Sequence, residues 1–596
     1  MIKQKIKLKK RNIMKQNKLI AALALSLSLS LTSCSDDKAT DSQQAVATKI
    51  EEVKAHSKSE IMNYIPAETP VLMLFAKDPN NPLPENLKNK MEKVYGSLGD
   101  IMKMAMEENF KKYAKDDAKS IEMKSKMDKW LSEEGIEKLG FSLEENEFAF
   151  YAVDLFPVLR MTLAKSHSMG EVLDEIMSEA QPDSASKKEV DGHSVYQFGD
   201  KELQVIISLA GNTVVASLSP TRDVDKLMPK LLGFEKPSKS LVQSNQYQDT
   251  LSKYNYLSNS LYWINIRQLA DYFVNPDKHD SAMLDVLKIE DKMLSADCKT
   301  EILAMIDKFP RLVGGSTLIE NHKLDSHMII EMEEGLGTKF STLSGRIPAT
   351  KTKAALSYGF SFDIAAAKSL AQEFVTNIQT TPYKCELLEG MNSQAATIAE
   401  QLAQPLPPFV SNFKGVNVVI DELDLDMSKT DPSEMVKNLK AKFLLAVDNP
   451  EALKGMAEMM MPDLQKLGIK TGADAVNVSS LIPISGSQMP INLDHVFMAM
   501  GVDTIGLSLG EGTDTELTST VSGESTSDLL TFSIDADLYK DIFAGIEGIS
   551  ANLPAEVKTQ LSMQKAMMTD MLWWQNESGS LDFTDRGFEV KVDIIY

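Results

Sequence analysis

The 596-residue chain has few of the residues that form covalent or metal-bound sites. It contains only three cysteines, four tryptophans and seven histidines. Neither HExxH nor CxxC occurs, so the spacing that zinc sites use is absent. We therefore expect no metal and no cofactor. The histidines are His56, His167, His193, His279, His322, His327 and His495.

Short catalytic and nucleotide-binding motifs are also absent. Ser316 lies in Gly314-Gly-Ser-Thr-Leu318, which departs from GxSxG at its last position and falls within a predicted strand. Gly335-Leu-Gly337 lacks a third glycine at Phe340, and GxxxxGK[ST] does not occur. These absences favour a non-enzymatic protein. The alternative is a hydrolase whose catalytic acids are scattered among the 85 Asp and Glu residues, where no motif reveals them.

One acidic segment, Asp421–Glu434, has oxygen ligands near calcium-loop spacing. Counted from Asp424, however, the loop has Lys429 where a glycine is required and Met435 where a bidentate acid is required. The alternation of the segment favours a solvated strand followed by a loop.

Positive charge is scarce: 63 Lys and Arg face 85 Asp and Glu, a formal charge of −22. Eight of the positive charges lie in the first 33 residues, so their removal would leave −30. Such a surface repels phosphate backbones and anionic headgroups. Nucleic acid is therefore not an expected partner, and adsorption to a membrane surface is not expected either.

Only one long apolar run occurs, Leu19–Leu31, and it follows the basic N-terminus. It is shorter than the roughly 20 residues that a membrane-spanning helix needs, which is typical of a secretory signal. The next residues, Leu31-Thr32-Ser33-Cys34, resemble the lipobox of bacterial lipoproteins. The resemblance implies cleavage between Ser33 and Cys34 and acylation of Cys34, which would anchor the chain in a membrane. An ordinary signal with a chance cysteine is the alternative.

The residues after Cys34 bear on location. In the enterobacterial sorting rule, aspartate directly after the cysteine retains a lipoprotein in the inner membrane. Ser35 occupies that position here, which implies the outer membrane, facing the periplasm. The acidic pair Asp36-Asp37 leaves surface display open. Residues 34–58 are polar, as expected of a flexible tether.

Two cysteines remain beyond the tether, Cys298 and Cys385. In an oxidising compartment, an even pair is more often a disulfide than two free thiols. Their separation excludes a CxxC redox motif, so we expect a structural bridge.

The body shows the same order of elements twice. Ile65-Pro66-Ala67 and Ile347-Pro348-Ala349 each precede a short apolar strand, a helical arm, a second strand, a strand-to-helix step and a meander. A strand, a helix and a hairpin then follow in residues 241–345 and again in residues 526–596. Alternating apolar runs separated by Gly, Asn and Asp turns predict antiparallel sheets, so the expected fold class is α+β.

We accordingly predict the following organisation. A signal peptide (1–33) and a lipidated tether (34–58) precede a first α+β module (59–240), a connecting α+β segment (241–345), a second module (346–525) and a C-terminal strand-helix-hairpin (526–596). This element order is similar to that of uncharacterised bacterial lipoproteins, a resemblance that implies no activity.

Methionine is abundant, with 33 residues, and clusters at Met102–Met106, Met456–Met461 and Met563–Met571. Thioethers can bind Cu(I), and flexible Met-lined helices suit apolar ligands. Amphipathic spacing favours a third role, core packing, for these methionines, and the same role is favoured for Trp573-Trp574. The expected function is a non-catalytic envelope lipoprotein that binds a protein partner or an apolar ligand such as a lipid or peptide. An envelope hydrolase is the alternative.

Overall fold

The computed structural model describes residues 59–78, 81–92, 125–126, 128–142, 145–179, 184–258, 260–289, 294–350, 354–425, 436–482, 493–540 and 572–596. Ser33, Cys34 and the tether lie outside these residues, as do the methionine groups at 102–106 and 563–571.

The described chain contains 14 α-helices with defined ends, as well as helical residues at 85–92, 125–126, 128–130 and 536–540. The helices are α1 (Glu133–Lys138), α2 (Met169–Glu179), α3 (Val224–Leu231), α4 (Asn245–Tyr254), α5 (Ile266–Val274), α6 (Ala282–Leu287), α7 (Ala296–Ile306), α8 (Leu336–Ser341), α9 (Ile364–Thr380), α10 (Glu389–Leu402), α11 (Pro408–Asn412), α12 (Pro450–Met460), α13 (Pro462–Lys466) and α14 (Asp514–Val521).

The strands are β1 (Val71–Phe75), β2 (Phe148–Val153), β3 (Phe156–Thr162), β4 (Ala185–Val190), β5 (His193–Gly199), β6 (Leu203–Ala210), β7 (Thr213–Pro220), β8 (Ser260–Asn265), β9 (Arg311–Glu320), β10 (Lys323–Glu331), β11 (Ile347–Pro348), β12 (Leu356–Ser361), β13 (Phe413–Leu425), β14 (Val436–Val447), β15 (Val476–Asn477), β16 (Val496–Met500), β17 (Thr504–Leu509), β18 (Ser525–Thr526), β19 (Leu530–Asp535), β20 (Asn576–Thr584) and β21 (Gly587–Ile595).

The fold is α+β and is built on one large antiparallel sheet of 19 strands, which confirms the predicted fold class. The strands pair in the order β4-β5-β6-β7-β3-β2-β1-β8-β9-β10-β21-β20-β19-β12-β13-β14-β17-β16-β15. The remaining two strands, β11 and β18, form a separate short pair.

Followed outwards from its middle, the sheet has the same connectivity over nine strands on each side, and β4 at the edge of the first half has no counterpart among the described strands of the second. In the first half (β1–β10), β1 lies between β2 and β8; in the second half (β11–β21), β12 lies between β13 and β19. The halves meet at a seam where β10 pairs with β21. The Ile-Pro-Ala segments also correspond, because Ala67 N donates to Lys239 O at 3.0 Å and Ala349 N donates to Glu524 O at 3.0 Å.

Alternation along the strands gives the sheet two faces. The front face carries Leu72, Trp263 and Val313, which belong to the largest apolar core. Helices α3 and α4 cover this face in the first half, where their Met228 and Leu251 join the same core. The back face carries the intervening residues, among them Met73 and Phe150.

On the back face, one glycine in each half lies next to an aromatic ring of the neighbouring strand. A Cβ at Gly314 would lie 2.2 Å from the ring of Tyr262, and a Cβ at Gly579 would lie 1.9 Å from the ring of Phe532. Any larger residue would displace the ring. The Gly-Gly-Ser segment around Ser316 therefore has a packing role in β9. The pairs Tyr262/Gly314 and Phe532/Gly579 occupy equivalent positions, so they show which residues of the two halves correspond.

Candidate binding face on the back of the sheet

A row of apolar side chains crosses the back of the second half. Phe532, Tyr358, Val418, Phe443, Leu507 and Met498 lie directly opposite one another on β19, β12, β13, β14, β17 and β16. The four central members are well exposed: Tyr358 by 49%, Phe443 by 42%, Val418 by 41% and Leu507 by 38%. Adjacent strands lie about 4.8 Å apart, so the exposed part of the row is about 15 Å wide.

A second apolar row runs beside the first, two residues further along each strand. It contains Phe360, Val416, Leu445 and Ile505, of which Phe360 is 37% exposed. We call the five exposed side chains the back patch: Tyr358, Phe360, Val418, Phe443 and Leu507. Contiguous apolar surface of this kind is uncommon on proteins that have no partner for it.

The residues that alternate with those of the back patch lie on the opposite face of the sheet. Gly359, Val419, Leu444 and Gly506 point to the front, where they are buried. Helix α14 packs there, with Leu517 and Val521 close to Gly506. The front of these strands is therefore covered. Their back is covered at β16 and part of β17, where Val496 and Met500 pack with Leu464 of α13, whereas the five residues of the back patch are exposed.

Part of the equivalent face of the first half is covered, although Ile264 on that face is 40% exposed. Leu269 of helix α5 lines a small apolar cavity together with Val71 and Phe150 on the back face of β1 and β2. The rest of the cavity wall consists of Tyr151, Ala152, Leu155 and Pro157. Met73 and Phe150, the counterparts of Tyr358 and Val418, are only partly exposed. A helix is thus what this sheet face receives where it is covered.

The methionines of the second half correct one expectation. Met459 and Met460 are 77% and 84% exposed, and Met456 and Met461 are also exposed, so core packing is the wrong interpretation for this group. Helix α12 packs against its neighbours through its smaller residues, such as Ala457, which leaves the long side chains outside. Trp574, in contrast, is buried, and Trp573 packs against Tyr596, as expected for core residues.

Cys298 and Cys385 form a disulfide with a Cα–Cα distance of 4.4 Å. It joins α7 of the first half to the segment between α9 and α10 of the second. The carboxylate of Glu301, one turn along α7, accepts hydrogen bonds from Lys384 N and Cys385 N, each at 2.9 Å. The two halves are thus linked by a covalent bond and by a side chain that holds the same backbone segment.

A buried polar network crosses the seam, and no sequence motif indicated it. The hydroxyl of Tyr256 lies 2.7 Å from Nδ1 of His327, whose Nε2 lies 3.0 Å from Oε2 of Glu589. Arg586 donates to both oxygens of Glu589 at 3.0 and 2.9 Å. Because an ionised carboxylate only accepts, Nε2 of His327 donates, and in the neutral imidazole Nδ1 accepts from Tyr256.

The electrostatics of this network favour an ionised Glu589. Burial alone would raise the pKa of Glu589, but hydrogen bonds from His327 and Thr584 and the charge of Arg586 lower that pKa to about 2. Glu331 lies at the same end of the seam, where Arg311 donates to it through two nitrogens at 2.9 and 3.2 Å. The network joins side chains of β10 and β21 and is therefore a junction between the two halves.

A second group of charges lies at the other end of the seam. Asp325 and Asp593 are directly opposite each other on β10 and β21, and the ammonium of Lys323 lies 3.0 and 2.8 Å from their carboxylates. Burial raises the pKa of Asp593 to about 7, helped by the neighbouring Asp325 carboxyl and opposed by Lys323. Asp593 is therefore a carboxyl that titrates near neutral pH.

Replacing Asp593 with asparagine should stabilise the protein at pH 8 by about 1–2 kcal/mol and have little effect at pH 4. A carboxyl with a raised pKa binds its proton more tightly in the folded state, so its contribution to stability falls as the pH rises from about 4 to about 7. Asparagine mimics the protonated form at every pH. Thermal unfolding at both pH values tests this, and an equal shift at pH 4 and pH 8 would contradict it.

Residues 426–434 of the acidic segment Asp421–Glu434 lie outside the described residues. Asp421 and Glu422 pair with Lys442 and Lys440, at 2.9 Å each, and not with a metal-binding group. No group of three or more His, Cys, Asp or Glu residues capable of holding a metal ion occurs in the described ranges. Within those same ranges, no helix has both the length and the hydrophobicity needed to cross a membrane.

Comparison of the chain with protein-family models, with curated protein sequences and with solved structures gives no match, so its possible function rests on its own residues.

Proposed function

We propose that this chain is a lipid-anchored envelope protein whose back patch binds an amphipathic helix of a partner protein. The observation that carries the proposal is the row of exposed, directly opposed apolar side chains from Tyr358 to Leu507. The proposal includes no catalytic step and no cofactor.

The anchor and the location rest on the N-terminal sequence. The basic start, the short apolar run Leu19–Leu31 and the lipobox-like Leu31–Cys34 support acylation of Cys34. With Ser35 after the cysteine, the proposed location is the outer membrane, facing the periplasm. We further propose that two related modules form the body, which the repeated strand connectivity supports.

A helix fits the patch better than other occupants because of what the same protein does in its first half. There, α5 lies against part of the equivalent back face, and its Leu269 lines a cavity together with Val71 and Phe150. A partner helix with an apolar stripe could lie across the rows of the back patch in the same way. Because the chain carries a formal charge of −22, basic residues beside that stripe would strengthen the complex.

The paired carboxylates of Asp325 and Asp593 are the feature closest to a hydrolase site. Lys323 lies within 3.0 Å of both. This ion pair holds the acids together as a fixed group, so the proposal assigns them no role as separate acid and base.

A photo-cross-linking residue placed at Phe443 in the full-length chain tests the proposal. In intact cells we expect it to cross-link to a helical segment that has an apolar stripe and Lys or Arg flanks. The same residue at Val502, an exposed apolar position in the turn between β16 and β17, is the matched control and should not capture that segment.

A synthetic peptide of the captured segment should then bind the soluble body, which is residues 35–596 without the signal and Cys34. Phe443→Glu should weaken binding by about 10- to 100-fold, whereas Val502→Glu should not. Cross-links confined to this chain's own residues would overturn the proposal. So would co-purification of a lipid that Phe443→Glu removes, because the occupant would then be an acyl chain.

A further inference from the structure

The front of the sheet differs sharply between the halves at matched positions. In the first half, Leu261, Trp263, Val313 and Ile329 are at most 1% exposed and lie in the core beneath α4. The glycine–aromatic pairs Tyr262/Gly314 and Phe532/Gly579 align β8 with β19 and β9 with β20. The seam hairpins align β10 with β21. The matched residues of the second half are Thr531, Ser533, Ser578 and Asp593.

The covering helix is missing along with the apolar residues. Residues 241–259 connect Ser240 to β8 in the first half and include α4. In the second half only residues 527–529 connect β18 to β19, which is too short a segment for a helix. Within the described ranges, the core that is apolar and covered by a helix in the first half is polar and has no such helix in the second half.

The resulting floor lies between two walls. Along one row of the front face, Gly315, His327, Lys591, Ser580, Thr531 and Gly359 are directly opposite one another on six adjacent strands. Tyr256 stands over Gly315 at one end of the row, and Ile347 of β11 stands over Gly359 at the other. Of the four strands between these walls, β10 carries His327, which is hydrogen-bonded to Tyr256, and β21, β20 and β19 form a floor about 10 Å wide. We call it the seam recess; its floor consists of Thr531, Ser533, Ser578, Ser580 and Asp593.

The recess is not an ordinary solvated sheet face. Ser578 is only 9% exposed, and the side chain of Asp593 is 13% exposed. Among the described residues, the hydroxyls of Ser533 and Ser578 have only long contacts to Asn576, at 3.4 and 3.3 Å. Polar groups that are so little exposed lose hydrogen bonds to water. A ligand that forms hydrogen bonds with them would offset that loss.

We propose that the seam recess binds a polyhydroxylated ligand, a saccharide. Each hydroxyl of a sugar donates one hydrogen bond and accepts others, which matches a floor of four Ser and Thr hydroxyls beside acceptors at Asp325 and Asp593 and a donor at Lys591. The position suits a ligand site because pockets occur preferentially where two structural units meet. This inference is independent of the helix-binding function proposed for the back patch.

The test uses the soluble body (residues 35–596) and three tetrasaccharides, cellotetraose, maltotetraose and tetra-N-acetylchitotetraose, in isothermal titration calorimetry. We expect at least one to bind. Ser533→Trp, which restores the residue of the first half, should abolish that binding by filling the floor. Thr531→Val with Ser580→Ala, a smaller change, should weaken it about 10-fold or more.

Phe443→Glu on the back patch is the matched control and should leave saccharide binding unchanged, so failure of one proposal is distinguishable from failure of the other. Circular dichroism and thermal unfolding establish that each variant is folded. The inference would be overturned if none of the three saccharides bound, or if binding persisted unchanged in the folded Thr531→Val/Ser580→Ala variant.

Discussion

Replacing Glu589 with alanine should lower the free energy of unfolding by about 3–5 kcal/mol at pH 7. Glu589 is 2% exposed, and its carboxylate accepts from His327 of the other half and from two nitrogens of Arg586. Alanine would leave these donors without an acceptor at the seam, where water can replace the carboxylate only poorly. Urea unfolding of the soluble body, followed by tryptophan fluorescence, measures the loss.

The matched control is Glu422→Ala. Glu422 is also a strand glutamate with a lysine partner, Lys440, at 2.9 Å, but its side chain is 52% exposed. Exposed pairs of this kind contribute about 0.2–1 kcal/mol. A loss at Glu589 no larger than that at Glu422 would show that the seam network does not hold the halves together.

The dependence of stability on acidic pH should also report the ionisation of Glu589. The pKa of Glu589 is lowered to about 2, so its contribution is complete above the ordinary glutamate range and is lost as the pH falls from about 5 towards 2. Stability of the natural chain should therefore fall steeply over that range, and the Glu589→Ala variant should show a shallower dependence. Equal slopes for the two proteins would contradict the assignment.

The local patterns of the sequence predicted much of the fold. Alternating runs predicted a hairpin in residues 241–345 and another in residues 526–596, and the structure has them as β9–β10 and β20–β21. A helical arm was expected after the first strand of the second module, where the structure has α9 and α10, and the paired cysteines predicted a bridge between Cys298 and Cys385. These features are encoded by near neighbours or by a single chemical pairing, which is why a single sequence suffices for them.

Features that depend on distant strands were not predictable. Strand β4 reads Ala-Ser-Lys-Lys-Glu-Val, which has no apolar alternation because it is an edge strand whose charges face solvent. Strands β10 and β21 pair across the seam, with Lys323 opposite Ile595, and neither strand carries a local sequence pattern that predicts this pairing. The network from Tyr256 to Glu589 and the seam recess exist only because of that pairing.

The back patch was missed for a different reason. Apolar residues at alternate positions of β12, β13 and β14 predict that one face of these strands is buried. The strand sequences do not indicate whether another element covers that face. The exposed Met459 and Met460 show the same limit, because helical spacing identifies a stripe but not what packs on it. In both cases the property that could not be predicted is side-chain burial, because burial depends on tertiary structure.

Removing the disulfide by replacing both Cys298 and Cys385 with alanine should lower the free energy of unfolding by about 4–5 kcal/mol. The bridge closes a loop across 87 residues and constrains the unfolded chain. It also fixes the segment before α10 against α7, so amide exchange in residues 364–402 should become faster. Urea unfolding and hydrogen exchange of the soluble body measure the two effects, with the reduced natural chain as the control for the lost side-chain packing.

The disulfide and Glu589 should be distinguishable by how the free energy depends on urea. Glu589→Ala removes interactions of the folded state, so the slope of the free energy against urea should stay unchanged. Loss of the bridge releases the unfolded chain, which then exposes more surface, so the slope should increase. A smaller loss than about 1 kcal/mol with an unchanged slope would show that the unfolded chain keeps α7 and the α9–α10 segment together without the bridge. Each half would then contribute its own contacts to that association.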